Sequence, residues 1–174
     1  MSEREVPRRQ DGARPLQPAE RSVVLLVRHA RAGERSDWCG DDRFRPLSFA
    51  GRTQALEIAS ALAERRPSSI SSSPAVRCVQ TVAPLAEAVG LRIGLEPALA
   101  EGSTEEAVSL ARAQRGVAVL CTHGDVGPAV LARLAAADGL RLPAVLRQSK
   151  GSTWVLETVD GRFSSATYHE TPRL

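Results

Sequence analysis

The 174-residue chain contains little that is aromatic: two tryptophans, one tyrosine and three phenylalanines. So few flat rings argue against stacking platforms for single-stranded nucleic acid, and they leave the core to be built from Ala, Val and Leu. Cysteine is scarce as well. Cys39, Cys78 and Cys121 are odd in number, widely scattered and without a pair at zinc-ligand spacing. That usage points to a reducing, cytoplasmic compartment rather than a disulfide scaffold. With only three histidines, and none at metal-ligand spacing, no metal and no other cofactor is implied. Lysine is nearly missing, Lys150 being the single one among 23 basic residues. Guanidinium is the better bidentate phosphate ligand, but a GC-rich genome produces the same bias, so the net charge of +3 says little about partners. No apolar run approaches the roughly 18 residues of a membrane span. Arg8-Arg9 is not followed by the apolar stretch that a twin-arginine signal needs.

What remains is an ordinary globular composition, 43% hydrophobic and 25% charged, long enough for one domain with a real core. Residues 1–21 are polar and punctuated by Pro7, Pro15 and Pro18, and they read as a disordered arm ahead of a domain over 22–174. No repeat is visible, and nothing in the sequence reads on oligomeric state.

From Ser22 the pattern alternates. Val23–Val27 reads as a buried strand, and 31–47 as a long surface loop rich in Arg, Asp and Gly. Ser48 can cap a helix running to about Arg66, which Pro67 ends. A short strand at Ile70–Ser72 leads to Ser73, read as the cap of a helix with Pro74 in its first turn and Gly90 at its end. A strand near Arg92–Leu95 follows. Ser103 and Glu106 have the spacing of a capping box for a helix to about Gln114. Val117–Cys121 is a second buried strand, followed by a helix to about Ala137. Thr153–Glu157 and Arg162–Tyr168 read as a hairpin around Asp160-Gly161. This order predicts an α/β fold, a three-layer α/β/α sandwich around a mostly parallel sheet.

In such a sheet, ligands bind at the carboxyl ends of the parallel strands. The first strand ends in Arg28 and His29, the second in Ser71-Ser72-Ser73-Pro74 with Arg77 a turn later, and the later one in Thr122-His123-Gly124. Right-handed crossovers bring these tips to one edge. Two arginines and two histidines there suit a phosphoryl group in transfer, whose charge spreads over three equatorial oxygens.

Three of these runs, Val27-Arg28-His29-Ala30, Ser73-Pro74-x-x-Arg77-x-x-Gln80-Thr81 and Thr122-His123-Gly124, resemble the signatures of the histidine phosphatase superfamily, which includes phosphoglycerate mutase-like enzymes. Arg28-His29-Ala30, the Asp41-Asp42-x-x-Arg45-Pro46-Leu47-Ser48-x-x-Gly51 run and Lys150-Gly151-Ser152-Thr153-Trp154 are similar to SixA-type phosphohistidine phosphatases and to the phosphatase domain fused to MutT-type Nudix hydrolases. No Nudix box occurs in these residues.

The resemblance implies a metal-independent phosphatase. His29 would be the nucleophile that takes the phosphoryl group, Arg28, Arg77 and Arg35 would hold its oxygens, His123 would stabilise the transition state, and Glu101 would be the general acid. A phosphorylated protein histidine, a nucleotide or a small phosphate ester would be the substrate, with no nucleic-acid or membrane partner. A backbone carbonyl on one ring nitrogen would set the tautomer of His29. The competing reading is a non-catalytic, phosphate-binding or regulatory module that keeps the pocket. A mutase would need a lid insertion that is not evident. Glu34, Asp37, Asp42 and Asp125 are rival acids, Asp42 and Arg45 being read as loop-ordering residues. Lys150, Ser152 and Thr153 read first as a strand entry, with a reach into the pocket as the other reading, Cys121 as core packing, and Trp38 and Phe44 as candidates for reading the substrate.

Overall fold

Val24 through Val27 are all buried, and the reason is that β1 (Arg21–Arg28) is covered on both faces. Leu25 and Val27 pack with the helices α1 (Phe49–Ala63) and α2 (Val76–Val89), while Val24 and Leu26 pack with α3 (Thr104–Ala113) and α4 (Val126–Asp138). A strand buried on both sides loses the apolar/polar alternation of a half-exposed one. This is the α/β/α sandwich the sequence predicts. The computed structural model describes residues 19–171, so most of the predicted arm, residues 1–18, lies outside the described residues.

The remaining strands are β2 (Ser69–Ser72), β3 (Ile93–Leu95), β4 (Val117–Thr122), β5 (Thr153–Val159) and β6 (Arg162–His169). They form one six-stranded sheet in the order β3-β2-β4-β1-β5-β6. Four strands are parallel, and β5 and β6 add antiparallel at one side. The β5–β6 turn has positive φ at both Asp160 and Gly161, as the predicted hairpin requires. The register of β1 and β4 is Arg28↔Thr122 and that of β2 and β4 is Ser72↔Cys121. His29, Ser73 and His123, the next residue on each strand, therefore emerge side by side at the carboxyl edge.

Two local expectations are corrected. Ser73 does not cap α2, whose N-cap is Ala75 with no side-chain bond. The residue before a proline is pushed out of the helical region, and the Ser73 hydroxyl turns instead to His123. Ser103 does sit at the N-cap of α3, but its side chain makes no cap bond, so the capping box does not form. Its backbone, at φ −90 and ψ 54, is not the extended conformation that lets a hydroxyl reach back into the first turn. Ser48 does cap α1, accepting from the Gly51 amide at 3.1 Å. Among the described residues no helix is long and apolar enough to cross a membrane.

Candidate active site

The two imidazoles meet with ring centroids 5.5 Å apart and planes at 68°. His29 is anchored by its backbone, its amide donating to the Thr122 carbonyl at 3.0 Å. Its Nδ1 lies 2.8 Å from the Ala30 carbonyl, which can only accept. The proton therefore sits on Nδ1 and the lone pair on Nε2. Burial pushes the His29 imidazole down to about 3. The Ala30 hydrogen bond opposes this, and Arg77, His123 and Arg28 add to it by like-charge repulsion.

His123 is 2% exposed. Arg77 Nη2 donates to its Nδ1 at 3.3 Å, so its proton lies on Nε2, which donates to Ser73 Oγ at 2.8 Å. Arg77, also 2% exposed, rises from the first turn of α2. Its Nη1 donates to the Asp42 carbonyl at 2.8 Å and its Nη2 to Glu101 Oε1 at 3.1 Å. Arg28 donates to the Gln148 carbonyl and lies flat against Gly124. A Cβ at that glycine would come within 2.6 Å of the guanidinium carbon, which is why the residue after His123 has no side chain. The Nε–H groups of Arg28 and Arg77 are buried with no hydrogen-bond partner among the described residues.

All six residues singled out in the sequence are brought together. Arg28, His29, Arg35 and Glu101 line one cleft with Arg45, Asp125 and Lys150. Arg77, His123 and Glu101 line a second with Asp42 and Pro97, so Glu101 stands between the two. Arg35 is mostly exposed and paired with Asp42 at 2.8 Å and Glu101 at 3.6 Å. Asp42 is a hub: Arg35, Arg45 and Arg77 all reach its carboxylate. The Arg35 hydrogen bond first, then that of Arg45, with Arg77 close by, hold it well below the usual carboxylate range. Asp42 and Arg45 thus order the loop as expected, but Asp42 also reaches into the site. Lys150 follows the second of its two readings rather than the strand entry, since β5 begins only at Thr153 and Lys150 lines the His29 cleft.

The sequence reading gave no role to Gln80, Thr81 or Gln54. Thr81 Oγ1 accepts from the Ala30 amide at 2.9 Å and donates to the Arg77 carbonyl at 2.7 Å, joining the His29 loop to α2. Gln80 Oε1 accepts from the Leu47 amide at 2.8 Å. Gln80 and Thr81 entered only as the end of the Ser73–Thr81 run, and the further signal for Thr81 was a hydroxyl on the apolar face of α2, beside Cys78, Val82 and Leu85. Among the described residues no group of three or more His, Cys, Asp or Glu side chains is arranged to hold a metal ion.

Fold and site together define a class: an α/β/α protein that presents a neutral imidazole, a second histidine, one buried and one half-buried guanidinium at one sheet edge, as suits phosphoryl chemistry. Residues 24–108 match the family model of the histidine phosphatase superfamily, branch 1. The chain resembles that superfamily over this span, which is just under half of its length. It is 36% identical over 162 residues to an 8-oxo-(d)GTP phosphatase of Mycolicibacterium smegmatis. That match takes in 89% of this chain but only 50% of the relative, so the chain spans half the length of that protein. Among solved structures it is similar to a candidate phosphohistidine phosphatase SixA from Nakamurella multipartitia, at 19% identity and TM-score 0.72 over 90% of this chain and 100% of that one. It is also similar to the protein histidine phosphatase SixA complexed with tungstate, at 17% identity and TM-score 0.66 over 85% and 94% of the two chains.

Proposed function

We propose that this chain is a metal-independent phosphatase that works through a phosphohistidine on His29. The observation that carries the reading is the tautomer. The Ala30 carbonyl accepts a hydrogen bond from Nδ1–H, which leaves the Nε2 lone pair free in a cleft lined by Arg28, Arg35 and Glu101. A nucleophile has to be unprotonated to attack, and burial keeps this imidazole neutral at pH 7. Arg28 lines the His29 cleft and Arg77 the adjoining one, where guanidinium groups suit an anion. In this reading the two arginines clamp the phosphoryl oxygens, with Arg35 at the rim. His123 stabilises the transition state, Glu101 protonates the leaving group, and water cleaves phospho-His29. The dephosphorylated substrate is a protein phosphohistidine or a nucleotide, by likeness to the SixA structures and to the 8-oxo-(d)GTP phosphatase respectively. A cytoplasmic setting belongs to the same proposal, in keeping with the free thiols of Cys78 and Cys121.

The test uses para-nitrophenyl phosphate and a phosphohistidine peptide. The unmodified chain turns over at least one of them, His29→Ala removes at least 99.9% of that rate, and EDTA leaves it unchanged. Vanadate binding without any turnover would instead favour the non-catalytic module.

A further inference from the structure

Beside the His29 cleft lies a third concavity of about 670 Å³, lined by Arg31, Gly33, Glu34, Ser48, Ser149 and Lys150, with Ala32 and Ala50. That volume is in the range of small-ligand sites. Lys150 lines both this concavity and the His29 cleft, so the two adjoin. We propose that this concavity is a second phosphate subsite, and that the substrate is therefore a phosphoanhydride whose transferred phosphoryl group sits at His29 while the adjacent phosphate is held between Arg31 and Lys150. This rests on the reading of His29 as the nucleophile.

Three observations support it. The first is charge. Arg35, Arg45 and Arg77 are all committed to Asp42 or Glu101. The heads of Arg31 and Lys150 have no ion-pair or hydrogen-bond partner among the described residues, and both line the concavity. The second is that the two cations are fixed at their roots by one side chain. Gln54 Oε1 accepts from the Arg31 amide at 2.9 Å, and its Nε2 donates to the Lys150 carbonyl at 3.3 Å. Thr171 adds a bond to the same carbonyl at 3.2 Å. Gly51 lets α1 press against the Arg31 backbone, because any Cβ there would overlap the Arg31 carbonyl oxygen. Such fixing lowers the ordering cost of binding.

The third observation concerns the leaving group. Two acids line the His29 cleft: Glu101, which is salt-bridged to Arg77 and Arg35, and Asp125, whose carboxylate accepts from the Gly102 amide. An alkoxide has to be protonated as it departs, which loads that task on Glu101. A departing phosphate carries the charge on its own oxygens, its second pKa lying near ~6, and the demand falls away. The step balances. His29 Nε2 bonds to the terminal phosphorus as the bond to the bridging oxygen breaks, and that oxygen leaves with the electron pair as part of the retained phosphate. Water then bonds to the phosphorus, the pair returns to Nε2, and the water proton goes to the released phosphate or solvent.

The experiment measures kcat/KM of the full chain for ADP, inorganic pyrophosphate and para-nitrophenyl phosphate. The expected result is that Arg31→Met and Lys150→Met each lower the ratio of diphosphate to monoester turnover at least tenfold, through KM. Glu34→Gln raises that ratio, because the acid on the wall opposes an anion. Pyrophosphate and ADP responding alike assigns the subsite to the phosphate itself. A response to ADP alone assigns it to a nucleoside diphosphate. Monoester turnover that His29→Ala abolishes, with the ratio unmoved in both Met variants, overturns the subsite and leaves the His29 reading standing. Absence of all turnover overturns the His29 reading, and the subsite with it.

Discussion

His29 holds its proton balance against water. Folded, burial keeps its imidazole near 3; unfolded, the ring titrates near ~6.5. Between those values the unfolded chain binds a proton that the folded chain refuses, so stability is lost as pH falls through this window. The slope from one such group is at most about 1.4 kcal/mol per pH unit. Asp42, held low by its arginines, adds its own loss only on approach to the ordinary carboxylate range near ~3.9. Urea unfolding at pH 7 and pH 5 is therefore expected to differ by about 2 kcal/mol from His29 alone. His29→Gln should flatten that difference; an equal loss in the variant would assign it elsewhere. At Gly124 the constraint is steric. Gly124→Ala drives a methyl into the Arg28 guanidinium. The expected outcome is a tenfold or greater loss of turnover, with thermal stability moved far less because the displaced group is a side-chain end. His29, Arg28 and His123 were legible because each ends an apolar run with a polar group that a buried strand does not need. Ser73 was misread, since Ser-Pro before a helix looks the same whether the hydroxyl caps the helix or serves a histidine on another strand.

At the scale of elements, the site is held by ties between segments that are distant in sequence. Thr81 joins α2 to the loop after β1 through two bonds of one hydroxyl. Thr81→Val keeps the shape and leaves the buried Ala30 amide without its acceptor, which costs about 1–3 kcal/mol. Equilibrium unfolding reads that cost, and a fall in turnover larger than the fall in folded fraction would show that the His29 loop has shifted. The existence and order of the elements were legible from periodicity and caps such as Ser48. The ties were not, because hydrogen bonding between residues 30 and 81, or 31 and 54, leaves no local pattern. Lys150 was placed first at the entry of a strand for the same reason: only the path of the chain between α4 and β5 brings it over the His29 cleft.

The whole molecule is two apolar layers on either side of one sheet. Leu85 on α2 and Leu131 on α4 are fully buried in opposite layers. Either residue changed to Ala is expected to cost about 2–5 kcal/mol, and because they share no partners the losses should add to within about 0.5 kcal/mol. Chemical denaturation of the two single variants and the double checks this. A double variant much more stable than the sum would mean that the layers relax together through the sheet. Against a total stability of about 5–15 kcal/mol, the double change is expected to bring the domain close to unfolding. The layered architecture was readable in advance because four parallel strands alternating with helices admit few other arrangements.

The register that pairs Val23 with Val117 acts as a shared reading frame for the chemistry. Six residues on from each, the two imidazoles arrive together, their spacing counted off by the ladder and independent of any loop. Losing or gaining one residue inside either strand would turn one ring to the other side of the sheet. Length changes that keep the two rings in register are thus confined to the connecting segments, and in 31–47 and 139–150, which carry Arg35, Asp42 and Lys150, they reshape the surrounding cleft without moving the reacting pair.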